Sequence, residues 1–305
     1  MAQFDVLGIG RPYADTLVPV SHLPTADEVL SVEGIEQQGG GPVPTAMVTV
    51  GKLGRSAAIW GRVSADHYGE FLRQDFIRHG VDTTYLESCP GYHPALAVIL
   101  VDRATRTRAI LHNQGNVPLP VAGDISADVV RQCRILHLSG SYMLAEIEAA
   151  RLAKEAGVLV SVDGGAGLWK PDMESLVSQA DVLVAARHFA EQAADCFNLA
   201  ACAQALLSRG PRTVVITDGA DGSHGWTSDG QYYYQPAFAV TVVDTTGAGD
   251  VYHGAFLFGL LNDWPLPRTM EFASATAALK CTRVGGRAGI PTLSELEQFL
   301  NRVSH

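Results

Sequence analysis

From about Cys133 onward the sequence alternates short, unbroken apolar runs with longer amphipathic segments, a pattern that few folds can absorb. Ile135 to Leu138, Val158 to Val162, Val182 to Ala185 and Thr213 to Thr217 are rich in Val, Ile and Leu without apolar-polar alternation, as expected of strands buried on both faces. Between them, Leu144 to Ala156 reads as a helix closed by Gly157, and Ala200 to Ser208 as a helix closed by Gly210. Such a βαβα succession predicts an α/β fold with a mostly parallel sheet, helices on both faces, and ligands at the carboxyl ends of the strands. With 305 residues, 47% of them hydrophobic, the chain can bury one large core.

Two earlier segments depart from this pattern. Thr16 to Gln38 and Pro94 to Asn113 read as extended strands, with alternation over Ala95 to Val101 and a turn around Asp102 to Arg106. The main sheet does not obviously need them. There are no internal repeats and no low-complexity tracts.

The string Asp244-Thr245-Thr246-Gly247-Ala248-Gly249-Asp250 joins an apolar run, Ala239 to Val243, read as a strand, to an apolar helical run, Val251 to Leu261. The first N–H groups of a helix lack intrahelical partners and carry the positive end of its dipole, so they can bind an anion. Small residues at Gly247, Ala248 and Gly249 let a phosphate approach those groups, and Asp250 is placed to accept a proton from an attacking hydroxyl. Taken alone, the same string also fits an ordinary glycine-rich turn with Asp250 as an N-cap.

With its continuation Val251-Tyr252-His253-Gly254-Ala255-Phe256, the string resembles the second signature of the ribokinase (PfkB) family of sugar kinases. Further pieces follow in the family's order. Val6-Leu7-Gly8-Ile9-Gly10 leads to Asp15, Gly40-Gly41 enter a helix ending in Gly51-Lys52-Leu53-Gly54, and Thr217-Asp218-Gly219-Ala220-Asp221-Gly222 matches a nucleotide loop. Gly39 to Pro42 with Thr45, Asp163-Gly164, and Ala278 to Arg283 followed by Gly285 to Pro291 are similar to the sulfofructose kinase branch of the family.

The resemblance implies a single ribokinase-like domain over residues 1–305, a three-layer α/β sandwich with a small β-sheet lid inserted at about 16–38 and 94–113. It also implies a homodimer joined through that lid. Asp15, Gly40, Gly41 and Thr45 would hold the substrate, while Thr217, Gly219, Gly222, Gly247 and Gly249 would bind ATP. Asp250 would be the base, with the amides of Gly247, Ala248 and Gly249 as the anion hole. Asp244 and Thr246 resemble positions that bind a monovalent cation such as K+, and the chemistry calls for Mg2+.

The chain departs from the family at several places. Thr45 stands where asparagine is usual, so one hydroxyl replaces an amide donor and acceptor. The Asn-x-x-Glu element that organises magnesium is missing, because Ala186-Arg187-His188-Phe189-Ala190-Glu191 occupies its place. A lysine expected near residue 29 and a basic residue near Ser141, both on the substrate side of sulfofructose kinases, are absent. A neutral sugar or a nucleoside therefore stays open beside a sulfonated sugar.

Composition narrows the partners. A net charge of −10 disfavours nucleic acid, while Lys280, Arg283 and Arg287 could give an ATP site local positive potential. Five scattered cysteines without a CxxC pair fit reduced thiols in the cytoplasm. Met1 to Asp5 lacks the basic start of a secretory signal, and no apolar run is long enough to span a membrane. Gly8-Ile9-Gly10 does not continue as a dinucleotide fingerprint, because Pro12 and Tyr13 follow. The histidines show no metal spacing, and His253 reads as packing or a hydrogen bond.

These readings converge on an ATP-dependent phosphotransferase acting on a hydroxymethyl group of a sugar or sugar-like substrate. A nucleoside kinase of the same family and a catalytically inactive sugar-binding sensor are the alternatives.

Overall fold

The structure, a computed structural model, describes residues 2–105, 107–165 and 169–303. Arg106, at the end of the turn read from the sequence, lies outside the described residues. The chain opens with β1 (Phe4–Ile9), β2 (Tyr13–Val20), β3 (Glu36–Gly40), α1 (Pro42–Lys52), β4 (Ala57–Ser64) and α2 (His67–Arg78). Then come β5 (Val81–Asp82), β6 (Leu86–Cys89), β7 (Leu96–Asp102), β8 (Arg108–Asn113), α3 (Ala127–Val130), β9 (Cys133–Leu138) and α4 (Met143–Ala156). The second half carries β10 (Leu159–Asp163), α5 (Met173–Val177), β11 (Val182–Ala186), α6 (Arg187–Ala194), α7 (Leu199–Leu207) and β12 (Thr213–Thr217). It ends with β13 (Ser223–Thr227), β14 (Tyr232–Gln235), α8 (Ala248–Leu261), α9 (Leu266–Lys280) and α10 (Leu293–Val303).

The main sheet has ten strands in the order β14-β13-β12-β11-β10-β9-β1-β4-β5, with β6 also paired to β4. Pairing is parallel from β12 through to β5 and antiparallel for β12-β13 and β13-β14. Its two faces bury different residues of the same strands. Leu136, Leu183 and Ile216 pack on one side with residues of α3 to α7, while Ile135, Val184 and Val215 pack on the other with residues of α1, α2, α8, α9 and α10. That double burial is why the strands read as unbroken apolar runs. The result is a ribokinase-like three-layer sandwich. Among the described residues no helix is long and apolar enough to cross a membrane.

A separate four-stranded sheet, β3-β2-β7-β8, carries the two early segments. It is mixed: β2 runs parallel to β7, and the other two pairs are antiparallel. Asp15 follows the first strand of the main sheet, as read from the sequence, and lies inside β2 of this second sheet.

Two local expectations fail. Ala239 to Val243 forms no strand; Phe238 and Val240 instead pack onto the α8–α10 layer, and the Val243 N–H donates to the Cys281 carbonyl at 2.8 Å. The helix read over Ala200 to Ser208 closes at Ser208, and Gly210 instead turns tightly against Ser178, where a Cβ would come within 2.5 Å of a backbone carbonyl. By contrast α4 ends at Gly157 in the left-handed conformation, φ 71°, as its sequence predicts.

Helix α8 is buried from Val251 through Gly259, as a helix that is apolar all round must be. It crosses α1 closely at Gly254, where an added Cβ would lie 2.5 Å from the Ala46 carbonyl oxygen and 2.5 Å from Thr49 Cβ. Gly254→Ala is therefore expected to destabilise the fold by about 1–3 kcal/mol, read as a fall of several degrees in Tm. Gly123→Ala, where a Cβ would meet nothing within 4 Å, should leave Tm unchanged.

Candidate active site

Two cavities meet at the amino end of α8. One, of about 390 Å³, is lined by Asp15, Gly41, Asp163, Asp250 and His253, and from the second sheet by Ala97, Ile99, Arg108, Ile110 and His112. The other, of about 520 Å³, is lined by Gly219, Ala220, Gly222, Phe238, Val240, Tyr252, Ala278 and Cys281. Thr217, Thr245, Ala248 and Gly249 line both. Asp163, Ala186 and Thr217 stand at the carboxyl ends of β10, β11 and β12, where an open α/β sheet collects its ligands.

The loop between the cavities is held from behind. Asp244 Oδ1 accepts hydrogen bonds from Thr246 N–H at 2.8 Å and Thr246 Oγ1 at 2.7 Å, and Oδ2 accepts from Gly285 N–H at 2.7 Å. The chain then enters α8 through Gly247 at φ 71°, a conformation glycine adopts without strain. No side chain caps this helix start, and a Cβ on the exposed Gly249 would project into open space. Small residues thus leave the first turn open to an anion, while Asp250, in that same turn, is partly exposed to the substrate-side cavity.

Asp15 and Asp250 face the same cavity, and the charge of Asp250 raises the cost of ionising Asp15. Burial raises the pKa of Asp15 to about 7, with Asp250 adding to the rise and Arg287 opposing it. Asp250 is raised to about 6, first by burial and then by the charge of Asp163, while His253, Lys280 and Arg108 pull it back. Gly40 lies directly beneath Asp15, since a Cβ there would sit 1.9 Å from Oδ2.

Thr45 is not placed as the sequence predicts. It is buried on α1, does not line the cavity, and turns its hydroxyl toward Arg287 Nε at 3.5 Å. The fully enclosed Arg287 also pairs with Asp75 and donates to the Gly40 carbonyl at 3.3 Å, so it locks the Gly40-Gly41 loop to the C-terminal segment. Arg283, read with Lys280 and Arg287 as a basic candidate, is exposed.

Behind Asp250 lies a buried pair, His253 Nε2 to Asp163 Oδ1 at 2.9 Å. Burial disfavours the imidazolium, but Asp163 and Asp250 outweigh it and raise the pKa of His253. The neighbouring His137 is driven down to about 3, by burial and then by the His253 charge, and so stays neutral. His137, Asp163 and His253 bring donor atoms within 4.8 Å of one another, the one such cluster among the described residues.

At the place of the missing Asn-x-x-Glu element, Arg187 pairs with Glu191 at 2.8 Å and Asp218 at 2.7 Å. Glu191 is therefore engaged by a guanidinium. Two participants escaped the sequence reading. Arg108, on the outer strand of the second sheet, donates to Thr245 Oγ1 at 2.8 Å across 137 residues of chain, a closeness no local pattern announces. His253 does make the hydrogen bond that its sequence position suggests, but that Asp163, ninety residues earlier, is its partner is equally hidden from local pattern.

A family model described as pfkB family carbohydrate kinase matches residues 12–293. An ATP-dependent ribose-1-phosphate kinase of Halopiger xanaduensis is 31% identical over 97% of this chain and 98% of its own length. A 5-dehydro-2-deoxygluconokinase of Geobacillus thermodenitrificans is 27% identical over 98% of this chain and 94% of its own. The structure of Arabidopsis thaliana ribokinase complexed with ribose and ATP superposes with a TM-score of 0.85 at 23% identity, covering 98% of this chain and 99% of that one.

In a pH titration followed by carboxyl NMR, Asp250 should ionise with a midpoint near 6. His253→Gln removes a positive neighbour and leaves Asp163 uncompensated, so the midpoint should move upward. An unchanged or lowered midpoint contradicts the electrostatic role of His253.

Proposed function

The chain belongs to the pfkB family of carbohydrate kinases, and on that footing we propose that it transfers the terminal phosphoryl group of ATP to a hydroxymethyl group of a sugar or sugar-like substrate. One observation carries this reading: the open, small-residue start of α8 stands where an acid-lined cavity meets a largely apolar one. ATP would occupy the apolar cavity, with its base against Phe238, Val240 and Ala278 and its phosphates passing Thr217, Gly219 and Gly222 toward Gly247 and Gly249. The acceptor would lie on the other side, where Asp15 and Gly41 hold it.

Each chain residue has a task. Asp15, kept from ionising freely by burial, gains hydrogen-bond donors when substrate hydroxyls arrive, which restores what desolvation removed. Asp250, raised toward neutrality, takes the proton of the attacking hydroxyl. The amides of Gly247, Ala248 and Gly249 receive the charge that develops on the transferring group, with Arg108 beside them on Thr245. Thr45 acts through Arg287 as a support for the Gly40-Gly41 loop.

Mg2+ supplies charge neutralisation of the phosphates in this chemistry. Asp163 and Asp250 line the cavity beside the loop and are the carboxylates that would meet it. The donor set at Asp244 and Thr246 does not fit K+ in the same way. Both carboxylate oxygens of Asp244 are already hydrogen-bonded, its carbonyl is taken by Lys280, and the Thr246 hydroxyl is spent on Asp244.

The second sheet would act as a lid. Ile99 and Ile110, cross-strand partners, line the cavity, whereas Val98 and Leu111, the next pair, are exposed on the opposite face. That outer apolar face would make a homodimer contact, and five free cysteines fit a reducing cytoplasm.

Asp250→Ala should lower kcat by about a hundredfold or more with an unchanged circular dichroism spectrum, read as ADP release across a panel of neutral sugars, acidic sugars and nucleosides. Near-normal turnover would remove Asp250 from the role of base. If no acceptor stimulates ADP release while ligands still bind, the protein is a sensor. Leu111→Glu should convert a dimer to a monomer in light scattering.

A further inference from the structure

Lys280 closes α9 with its side chain fully buried, and its Nζ donates to the Asp244 carbonyl at 2.8 Å. A buried ammonium is costly unless it is paired, so its place needs a physical reason. The pairing is at hand: Asp244 provides both the carbonyl acceptor and, through its carboxylate, the counter-charge. Burial lowers the pKa of Lys280, and the Asp244 carboxylate opposes that. The C-terminal segment encloses the group, since Gly285 binds Asp244 Oδ2 and a Cβ on Gly289 would lie 2.2 Å from the Lys280 carbonyl oxygen.

Asp244 begins the loop that ends at Asp250, so a positive charge fixed on its carbonyl acts on that loop from behind. Lys280 and Asp250 also attract one another electrostatically. An ammonium and K+ are similar in size and both are satisfied by carbonyl and carboxylate oxygens. Resting on the kinase reading above, we propose that Lys280 is a tethered monovalent cation, doing from within the chain what a bound K+ would do, so that anion binding and turnover are independent of added K+. The misfit of K+ at Asp244 and Thr246 then has a cause: a chain-borne cation already holds the Asp244 carbonyl. Lys280 is a positioning residue, acting through the Asp244–Asp250 loop.

The test compares wild type with Lys280→Met and Lys280→Gln in buffers containing either K+ or tetramethylammonium. Wild type should release ADP at the same rate in both. The variants should lose on the order of tenfold to a hundredfold in kcat/KM and regain part of it in K+. K+ should raise the Tm of the variants and leave that of wild type unmoved. Strong activation of wild type by K+ overturns the proposal even if neither variant folds. Variants that match wild type, or whose losses K+ never reverses in rate or Tm, overturn it as well and leave Lys280 a structural role. Affinity for a non-hydrolysable ATP analogue, measured by calorimetry in the same buffers, carries the comparison if no acceptor supports turnover. Failure of the kinase reading is thereby kept distinct from failure of this one.

Discussion

The burial of α8 on every side is the constraint from which the site follows. A helix enclosed from Val251 through Gly259 cannot shift or fray without opening the core layer it shares with α1 and α9. Its amino end is therefore fixed relative to the carboxyl ends of β10, β11 and β12. Asp244 extends that rigidity backwards into the loop by satisfying two N–H groups and a hydroxyl, so the open first turn is presented in one geometry. Preorganised backbone dipoles need no rearrangement when charge develops against them, which is what the proposed phosphoryl transfer would draw on.

The chain as a whole is acidic, yet its centre is a balance of buried charges. Asp163 is matched by His253, Asp244 by Lys280, and Asp75 by Arg287, which also restrains Asp15. Each pairing sets a cationic or protonatable group against a buried carboxylate, and at Asp163 the charge and hydrogen bond of His253 outweigh the effect of burial and hold the pKa down. Asp250 has no such partner of its own. Burial first, and then the opposing charges of Asp163 on one side and His253, Lys280 and Arg108 on the other, bring its pKa to about 6.

What the sequence revealed and what it hid follow from the range of the interactions. The parallel strands were legible because double burial imposes an unbroken apolar run, and α4 because Gly157 supplies a left-handed stop. The glycine-rich loop was legible because its chemistry is local. Ala239 to Val243 misled because apolar residues that pack onto helices look the same as residues that pair in a sheet. Thr45 misled because its partner, Arg287, is 242 residues away. Lys280 stood out as a basic residue near the C-terminus, but its orientation toward Asp244, and not toward the nucleotide, depends on how α9 closes over the loop.

Arg287 joins the Gly40 carbonyl to a segment 247 residues later in the chain. During synthesis the first sheet strands and α1 leave the ribosome long before this arginine exists, so Asp75 must wait without its guanidinium and the Gly40-Gly41 loop without its anchor. Domains assemble as their chain emerges, and contacts of such sequence separation close last. The cavity that Asp15 and Gly41 line should thus be the final part of the molecule to mature, and a ribosome-bound nascent chain that stops short of Arg287 would display a largely formed sheet with that cavity still unanchored.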